Sequence, residues 1–329
     1  MANNTTKNST ADILCLSEYS IPENISLWIT VGSLAIINNF ILFSSLIFTK
    51  SAKRSSNIII TSSFFIGILF GALYILPLFS SDFFINIPLI CSMLPIIGLA
   101  LLSNYNLHQC LISVDRYIAV RWPIKYRDIN NRKFCIAIVL LTWIISFTTA
   151  AIPIMTFRQL SLNECILGYN VIDEANFFLV YHLVLFIVPT SIIVYCYCYI
   201  YHYIYKKKRT IFSQQAFVQV TEISKLRSKT NQAAIQMSIL AIIFIAMIFP
   251  FLITFQIVLF SFQNIDSFCS LPTWFRNYFA AISRYIAFSY PAVNPLLYGY
   301  FLDAIREVLH SRYKYLTTSI MHSTNTLKR

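Results

Sequence analysis

The stretch Ile112-Ser113-Val114-Asp115-Arg116-Tyr117-Ile118-Ala119-Val120 decides the fold, because a carboxylate, a guanidinium and a phenol close a long apolar run just ahead of the basic segment 121–133. An Arg at a membrane boundary costs energy unless it is solvated or paired. Asp115 is the adjacent partner, and the basic loop beyond repels the guanidinium. The pair therefore reads as a stored, switchable charge. Far downstream, the last apolar run carries Asn294-Pro295-Leu296-Leu297-Tyr298. Pro295 removes an amide donor and loosens its helix. Asn294 is positioned to bond the freed carbonyls, and Tyr298 stands one turn below.

Working outward, the chain is 57% hydrophobic and 12% charged, too little charge to coat a soluble globule of 329 residues. Apolar runs recur over 25–48, 57–80, 89–120, 134–155, 176–205, 233–262 and 274–300. Each is long enough to cross ~30 Å of hydrocarbon. In lipid every backbone amide must be satisfied within its own segment, and the runs lack the period-two alternation of barrel strands. The expected fold is all-α, a seven-transmembrane helix bundle. Segments 49–56, 121–133, 206–232 and the C-terminal stretch share one side. With Arg116 counted, that side holds 21 of the 25 Lys and Arg against five acids, and the other side holds four against eight. Excess Lys/Arg marks the cytoplasmic face, which sets the N-terminus outside. The basic residues are confined to loop ends, so the high pI reflects a membrane face and no nucleic-acid partner.

Asn3, Asn4, Asn8 and Asn24 each begin an Asn-x-Ser/Thr acceptor, all ahead of the first span. No basic n-region with a cleavage site precedes that span, which is expected to be an uncleaved anchor. Cys91 and Cys165 fall on the oxidising side and are expected to bridge; Cys15 and Cys269 are candidates for a second bridge. Cys110, Cys135, Cys196 and Cys198 are expected to be buried thiols. The organisation is then an extracellular, glycosylated segment 1–24, a membrane domain 25–300, a surface helix 301–312 and a cytoplasmic tail 313–329. The surface helix rests on Phe301, Leu302, Ile305, Val308 and Leu309 recurring at helical spacing among Arg306, Glu307 and Arg312. Six Ser/Thr between Thr317 and Thr326 are phosphoacceptor candidates or a solvated, inert tail.

The two motifs, in that order across seven spans, resemble the activation elements of rhodopsin-like (class A) G-protein-coupled receptors. Asn39, Trp143, Pro189 and Pro250 match that family's helix markers. The resemblance implies that Asp115, Arg116 and Tyr117 form the coupling switch. It also implies that Arg116 meets the incoming G-protein helix while Tyr197 and Tyr298 swing inward, with Phe244, Pro250, Asn294 and Pro295 in the activation path. Departures are equally informative. Gly67 stands where the family has a second-helix acid, so no carboxylate-based sodium site is expected. Ile248 replaces the toggle Trp, and no acid stands near Thr230 to hold Arg116, so some basal activity is expected.

For the ligand, Gly98 occupies the third-helix position where amine receptors carry an Asp, and Phe288 that of the opsin Lys. Candidate contacts are Gly98, Tyr74, Tyr181, His182, Phe251, Phe255 and Arg284. Arg284 either meets an anionic or strongly hydrogen-bonding ligand or snorkels outward. The sequence thus describes a multi-pass plasma-membrane receptor that binds an extracellular ligand and activates a heterotrimeric G protein, in contact with lipid and arrestin. A chemosensory role fits its departures from the family. The alternative, a transporter or channel, is disfavoured by the odd span count, the lack of a duplicated half and the scarcity of mid-membrane charge. No cofactor, metal site or catalytic cluster is expected, so the chain is not read as an enzyme.

Overall fold

The computed structural model describes residues 24–48, 55–79, 86–129, 131–156, 171–214, 222–263, 265–301 and 306; at 55–56, 127–129, 171–174, 207–214, 222–230 and 265 only the backbone is described. Among the described residues every regular element is a helix. Helix α1 spans Ile25–Ile47. Helix α2 runs from Ser55–Phe70 through a π-helical turn, Gly71–Ile75, into Leu76–Phe79. Helix α3 is Pro88–Arg121 and α4 is Arg132–Thr156, with the short helix Pro123–Ile129 between them. Helix α5 joins Val171–His182 to Val188–Gln214 through a π turn at Leu183–Ile187. Helix α6 is Glu222–Ser261, and α7 opens with the π turn Trp274–Phe279 and continues as Ala280–Phe301.

Helices α1 to α6 contain stretches long and apolar enough to cross a membrane. Helix α7 is less apolar because Arg284, Tyr290, Asn294, two prolines and Tyr298 interrupt it, and most of these turn inward. The helices close a ring: α1 packs on α2 and α7, α7 on α6, and α5 on α6. Helix α3 runs through the middle against α2, α4, α5 and α6, and it is the most enclosed. The outward faces are apolar. Phe40 and Ile37 of α1, Leu140 and Ile144 of α4, Val184 of α5 and Ile253 of α6 are all exposed, as a lipid-facing surface requires.

One expectation about the helix ends needs correction. The segment 206–232 reads as a loop by charge, yet α5 continues to Gln214 and α6 begins at Glu222. No Gly or Pro interrupts this segment, and Lys, Arg and Gln are good helix formers, so both helices run on past the apolar limit. Of the expected surface helix 301–312, Phe301 and Arg306 are described, and the remainder lies outside the described residues.

Prolines shape the interior. Pro189 cannot donate to the carbonyl of Leu185, and that oxygen instead accepts from Asn106 Nδ2 of α3 at 2.7 Å. Pro295 likewise frees the carbonyl of Pro291, which accepts from Asn39 Nδ2 of α1 at 2.7 Å. Asn38 Nδ2 donates to the neighbouring Ala292 carbonyl at 2.9 Å. Asparagines on adjacent helices thus satisfy backbone oxygens that prolines leave open, which a low-dielectric interior demands. Asn294 does not bond the freed carbonyls, contrary to expectation. Its side-chain amide instead bonds Tyr105 of α3 and Tyr290 one turn earlier in α7.

Candidate functional site: a charged end, a polar centre and an aromatic cavity

At the end of α3, Arg116 Nη2 lies 2.7 Å from Asp115 Oδ2, and both side chains are largely buried. Tyr126, on the short helix Pro123–Ile129, donates its hydroxyl to Asp115 Oδ1 at 2.7 Å. The carboxylate therefore binds the guanidinium with one oxygen and a phenol with the other. This second partner escapes the sequence reading, because it comes from a helix turn past Pro123. Arg116 Nε is buried without a hydrogen bond among the described residues, so the guanidinium is only partly satisfied. Tyr117 faces the other way, edge-on to Tyr199 at 5.0 Å. Tyr197 is buried near the Arg116 guanidinium. The side chain of Thr230 lies outside those described.

One level deeper, Asn294 joins α7 to α3. Its Nδ2 donates to Tyr105 Oη at 2.5 Å, and its Oδ1 accepts from Tyr290 at 2.8 Å. Phe244 of α6 packs edge-on to Tyr290 at 5.0 Å and against Tyr105 at 6.4 Å, so three helices meet at this centre. Tyr105 and Tyr290 are missing from the sequence-level candidates, since an inward tyrosine is indistinguishable from a packing one without the register. Tyr298 is fully buried, edge-on to Phe64 at 5.3 Å. Its hydroxyl faces Gln109 but makes no well-directed hydrogen bond among the described residues.

Gly67 has a concrete structural reason. A Cβ there would fall 2.5 Å from the Asn39 side chain, which occupies the space a larger residue would need. The same Asn39 amide holds the Pro291 carbonyl, so a small residue at 67 is what lets α1 reach α7. Nearby, His108 links three helices. Nδ1 donates to the Asn104 carbonyl at 2.9 Å, which leaves Nε2 to accept from Ser62 at 2.9 Å, while Trp143 Nε1 also donates to Ser62 at 3.1 Å.

Towards the Cys91 end, a cavity of about 120 Å³ opens between α2, α3, α5, α6 and α7. Five of the seven expected ligand contacts line it: Tyr74, Gly98, His182, Phe251 and Phe255. Phe178, Phe186 and Phe288 complete an aromatic wall that the sequence reading did not assemble. Gly98 is covered by Tyr74, whose ring would lie 2.3 Å from any Cβ at that position.

Tyr181 and Arg284 are not lining residues. Tyr181 turns to α3 and donates its hydroxyl to the Leu99 carbonyl at 3.2 Å. The Arg284 guanidinium lies 5.3 Å from the Phe79 ring centre and 5.8 Å from that of Trp28, a cation–π position between α1, α2 and α7. Trp28 stacks on Phe79 at 4.1 Å and on Tyr285 at 4.2 Å, so the charge meets a prebuilt aromatic face.

Cys91 and Cys269 are each disulfide-bonded. Their expected partners, Cys165 and Cys15, lie outside the described residues. Cys110, Cys135, Cys196 and Cys198 are not disulfide-bonded, but Cys198 is exposed on the lipid-facing side of α5, contrary to the expectation of burial. Asn24 caps α1, its Oδ1 accepting from the Leu27 amide at 3.1 Å, and its own backbone amide donates to Tyr285 Oη at 2.7 Å. Asn3, Asn4 and Asn8 lie outside the described residues.

This architecture defines a helical membrane receptor, and comparison with known proteins agrees. The family described as 7 transmembrane receptor (rhodopsin family) matches residues 38–298, and the chain belongs to that family. It is accordingly a multi-pass protein of the plasma membrane in a class whose members are receptors. Among similar proteins is the G-protein coupled receptor homolog Q2/3L of Sheeppox virus (strain KS-1), 25% identical over 200 residues, which cover 58% of this chain and 46% of that protein. The human 5-hydroxytryptamine receptor 2C is 34% identical over 96 residues, covering 27% of this chain and 20% of that receptor. Rat succinate receptor 1 is 26% identical over 234 residues, covering 65% and 68%. The chain thus spans less than half the length of the first two.

Proposed function

We propose that this chain takes up an extracellular ligand at its Cys91 end and activates a heterotrimeric G protein at its Arg116 end. The observation that carries the reading is the Arg116–Asp115–Tyr126 cluster at the end of α3. A guanidinium held by one neighbouring carboxylate, with its Nε unbonded among the described residues, has a ready exchange of partners when a protein with acceptor groups enters. The asymmetry of Lys and Arg supports an N-terminus outside and this end in the cytoplasm. In the same reading Cys91 bridges Cys165, Cys269 bridges Cys15, and Asn3, Asn4, Asn8 and Asn24 carry glycans. Residues 301–312 lie on the inner leaflet, and the tail 313–329 meets arrestin.

The ligands named in two relatives do not fit this cavity. A 5-hydroxytryptamine ammonium would find Gly98 under a tyrosine ring and no carboxylate among the described lining residues. Succinate, a dianion, would need a cation, and Arg284 is engaged outside the cavity. Purified chain in lipid nanodiscs, mixed in turn with each class of heterotrimeric G protein, tests the proposal. Guanine-nucleotide exchange above that of empty nanodiscs is expected for at least one class; its absence for all of them, with the folded chain present, contradicts the reading.

A further inference from the structure

The polar content of the cavity is small and specific. His182 is 8% exposed, lines the cavity and is edge-on to Phe186 and Phe255 at 5.7 and 5.8 Å. Its Nδ1 lies 3.0 Å from Gln256 Oε1, and Gln256 Nε2 donates to the Ala175 carbonyl at 3.3 Å. A carbonyl can only accept, so the Gln256 amide must turn its NH₂ towards Ala175 and its oxygen towards the imidazole. His182 Nδ1 therefore carries the proton, and Nε2 holds a bare lone pair. Among the described residues, Nε2 has no hydrogen-bond partner. The sequence alone names His182 as a contact but does not reveal the tautomer.

We propose that the ligand of this cavity is a small, uncharged, mainly aromatic molecule that donates one hydrogen bond to His182 Nε2. This rests on the receptor reading above and assigns its ligand a chemical class. Size is the first argument: about 120 Å³ compares with the ~150 Å³ apolar cavity that admits benzene. Charge is the second. No Asp, Glu, Lys or Arg lines the cavity among the described residues, so an ionic ligand would shed its hydration with no counter-charge to meet it. Surface is the third, since Tyr74, Phe178, Phe251, Phe255 and Phe288 offer ring faces and edges to an aromatic guest. Polarity is the fourth: a locked acceptor selects a donor, and an unpaired buried acceptor penalises guests that lack one.

The test uses full-length chain in nanodiscs and four probes of one shape, para-ethylphenol, its O-methyl ether, para-ethylbenzoate and para-ethylbenzylamine. Binding is read by ligand-observed NMR titration, with nucleotide exchange measured in parallel. The phenol is expected to bind about tenfold more tightly than the ether, the factor that ~1.4 kcal/mol represents. The benzoate and the ammonium are expected not to bind. His182→Phe, which keeps the ring packing, should bring phenol and ether to equal affinity. Gln256→Leu, which releases the tautomer, should narrow the gap, and it serves as the second variant should His182→Phe fail to fold. Tighter binding of either ion, equal binding of phenol and ether by wild type, or no binding by any probe overturns the assignment. Phenol binding without exchange by any G protein would contradict the receptor reading and leave the ligand class standing. Basal exchange without phenol binding does the reverse.

Discussion

Asn39 Nδ2 of α1 lies 2.7 Å from the carbonyl oxygen of Pro291 in α7, the oxygen that Pro295 leaves without its helical donor. Asn106 of α3 stands in the same relation to Leu185 above Pro189. The backbone oxygens freed by Pro295 and Pro189 are therefore each held from a neighbouring helix. The weakened backbone becomes a contact between helices, and bending α5 or α7 at these points requires an asparagine to let go.

Removing either clamp should destabilise the bundle. Asn39→Ala and Asn106→Ala each leave a buried carbonyl unsatisfied, at a cost of about 1–3 kcal/mol. Thermal unfolding in detergent should show a lowered midpoint for each. The two losses should be nearly additive, because the clamps share no partner. An unchanged midpoint for both would mean that the carbonyls find other donors.

Gly67 should not tolerate a side chain. An added Cβ falls 2.5 Å from Asn39, and the asparagine cannot retreat without surrendering Pro291. Gly67→Ala and Gly67→Asp should lower surface expression and thermal stability, with Asp the worse. If Gly67→Asp instead folds and gains sodium-dependent suppression of exchange, the Asn39 side chain is freer than its packing implies.

Tyr298→Phe should separate stability from activity. Among the described residues the buried hydroxyl has no well-directed bond, so its removal should leave the unfolding midpoint level or higher. If Tyr298 supports Arg116 in the active form, exchange should fall in the same variant. Loss of stability would reveal a partner for the hydroxyl in the resting state.

Cys91→Ser should reduce surface expression, as loss of a native disulfide typically costs about 2–5 kcal/mol. Cys165→Ser should match it if those two sulfurs are joined, and mass-spectrometric thiol mapping reads the pair directly. Finding Cys91 bridged elsewhere would rule out the pairing.

Much of this was legible in the chain. Uninterrupted apolar runs locate the helices, because lipid permits little else. The Asp115–Arg116 pair is visible because the two residues are adjacent. What escaped depends on rotation and neighbourhood. Asn39 is conspicuous as a polar residue in an apolar run, but its hold on Pro291 needs the α1–α7 contact. The π turns at Gly71–Ile75 and Leu183–Ile187 shift the facing of Tyr74 and of the residues after His182, an offset that regular helical spacing does not contain. Arg284 looked like a ligand contact because intramembrane charge invites that reading. Two aromatic rings from other helices, Trp28 and Phe79, take it instead, and no local sequence pattern announces them.

The central claim is that the Asp115–Arg116 pair is a coupling switch remote from the ligand cavity. It is tested most directly by nucleotide exchange on matched amounts of wild type, Arg116→Ala and Asp115→Asn in nanodiscs with the responsive G protein. Arg116→Ala should retain ligand binding and lose exchange. Asp115→Asn should raise basal exchange, because the guanidinium loses its charged partner while Tyr126 keeps a neutral acceptor. Full exchange by Arg116→Ala, at wild-type surface levels, would contradict the account.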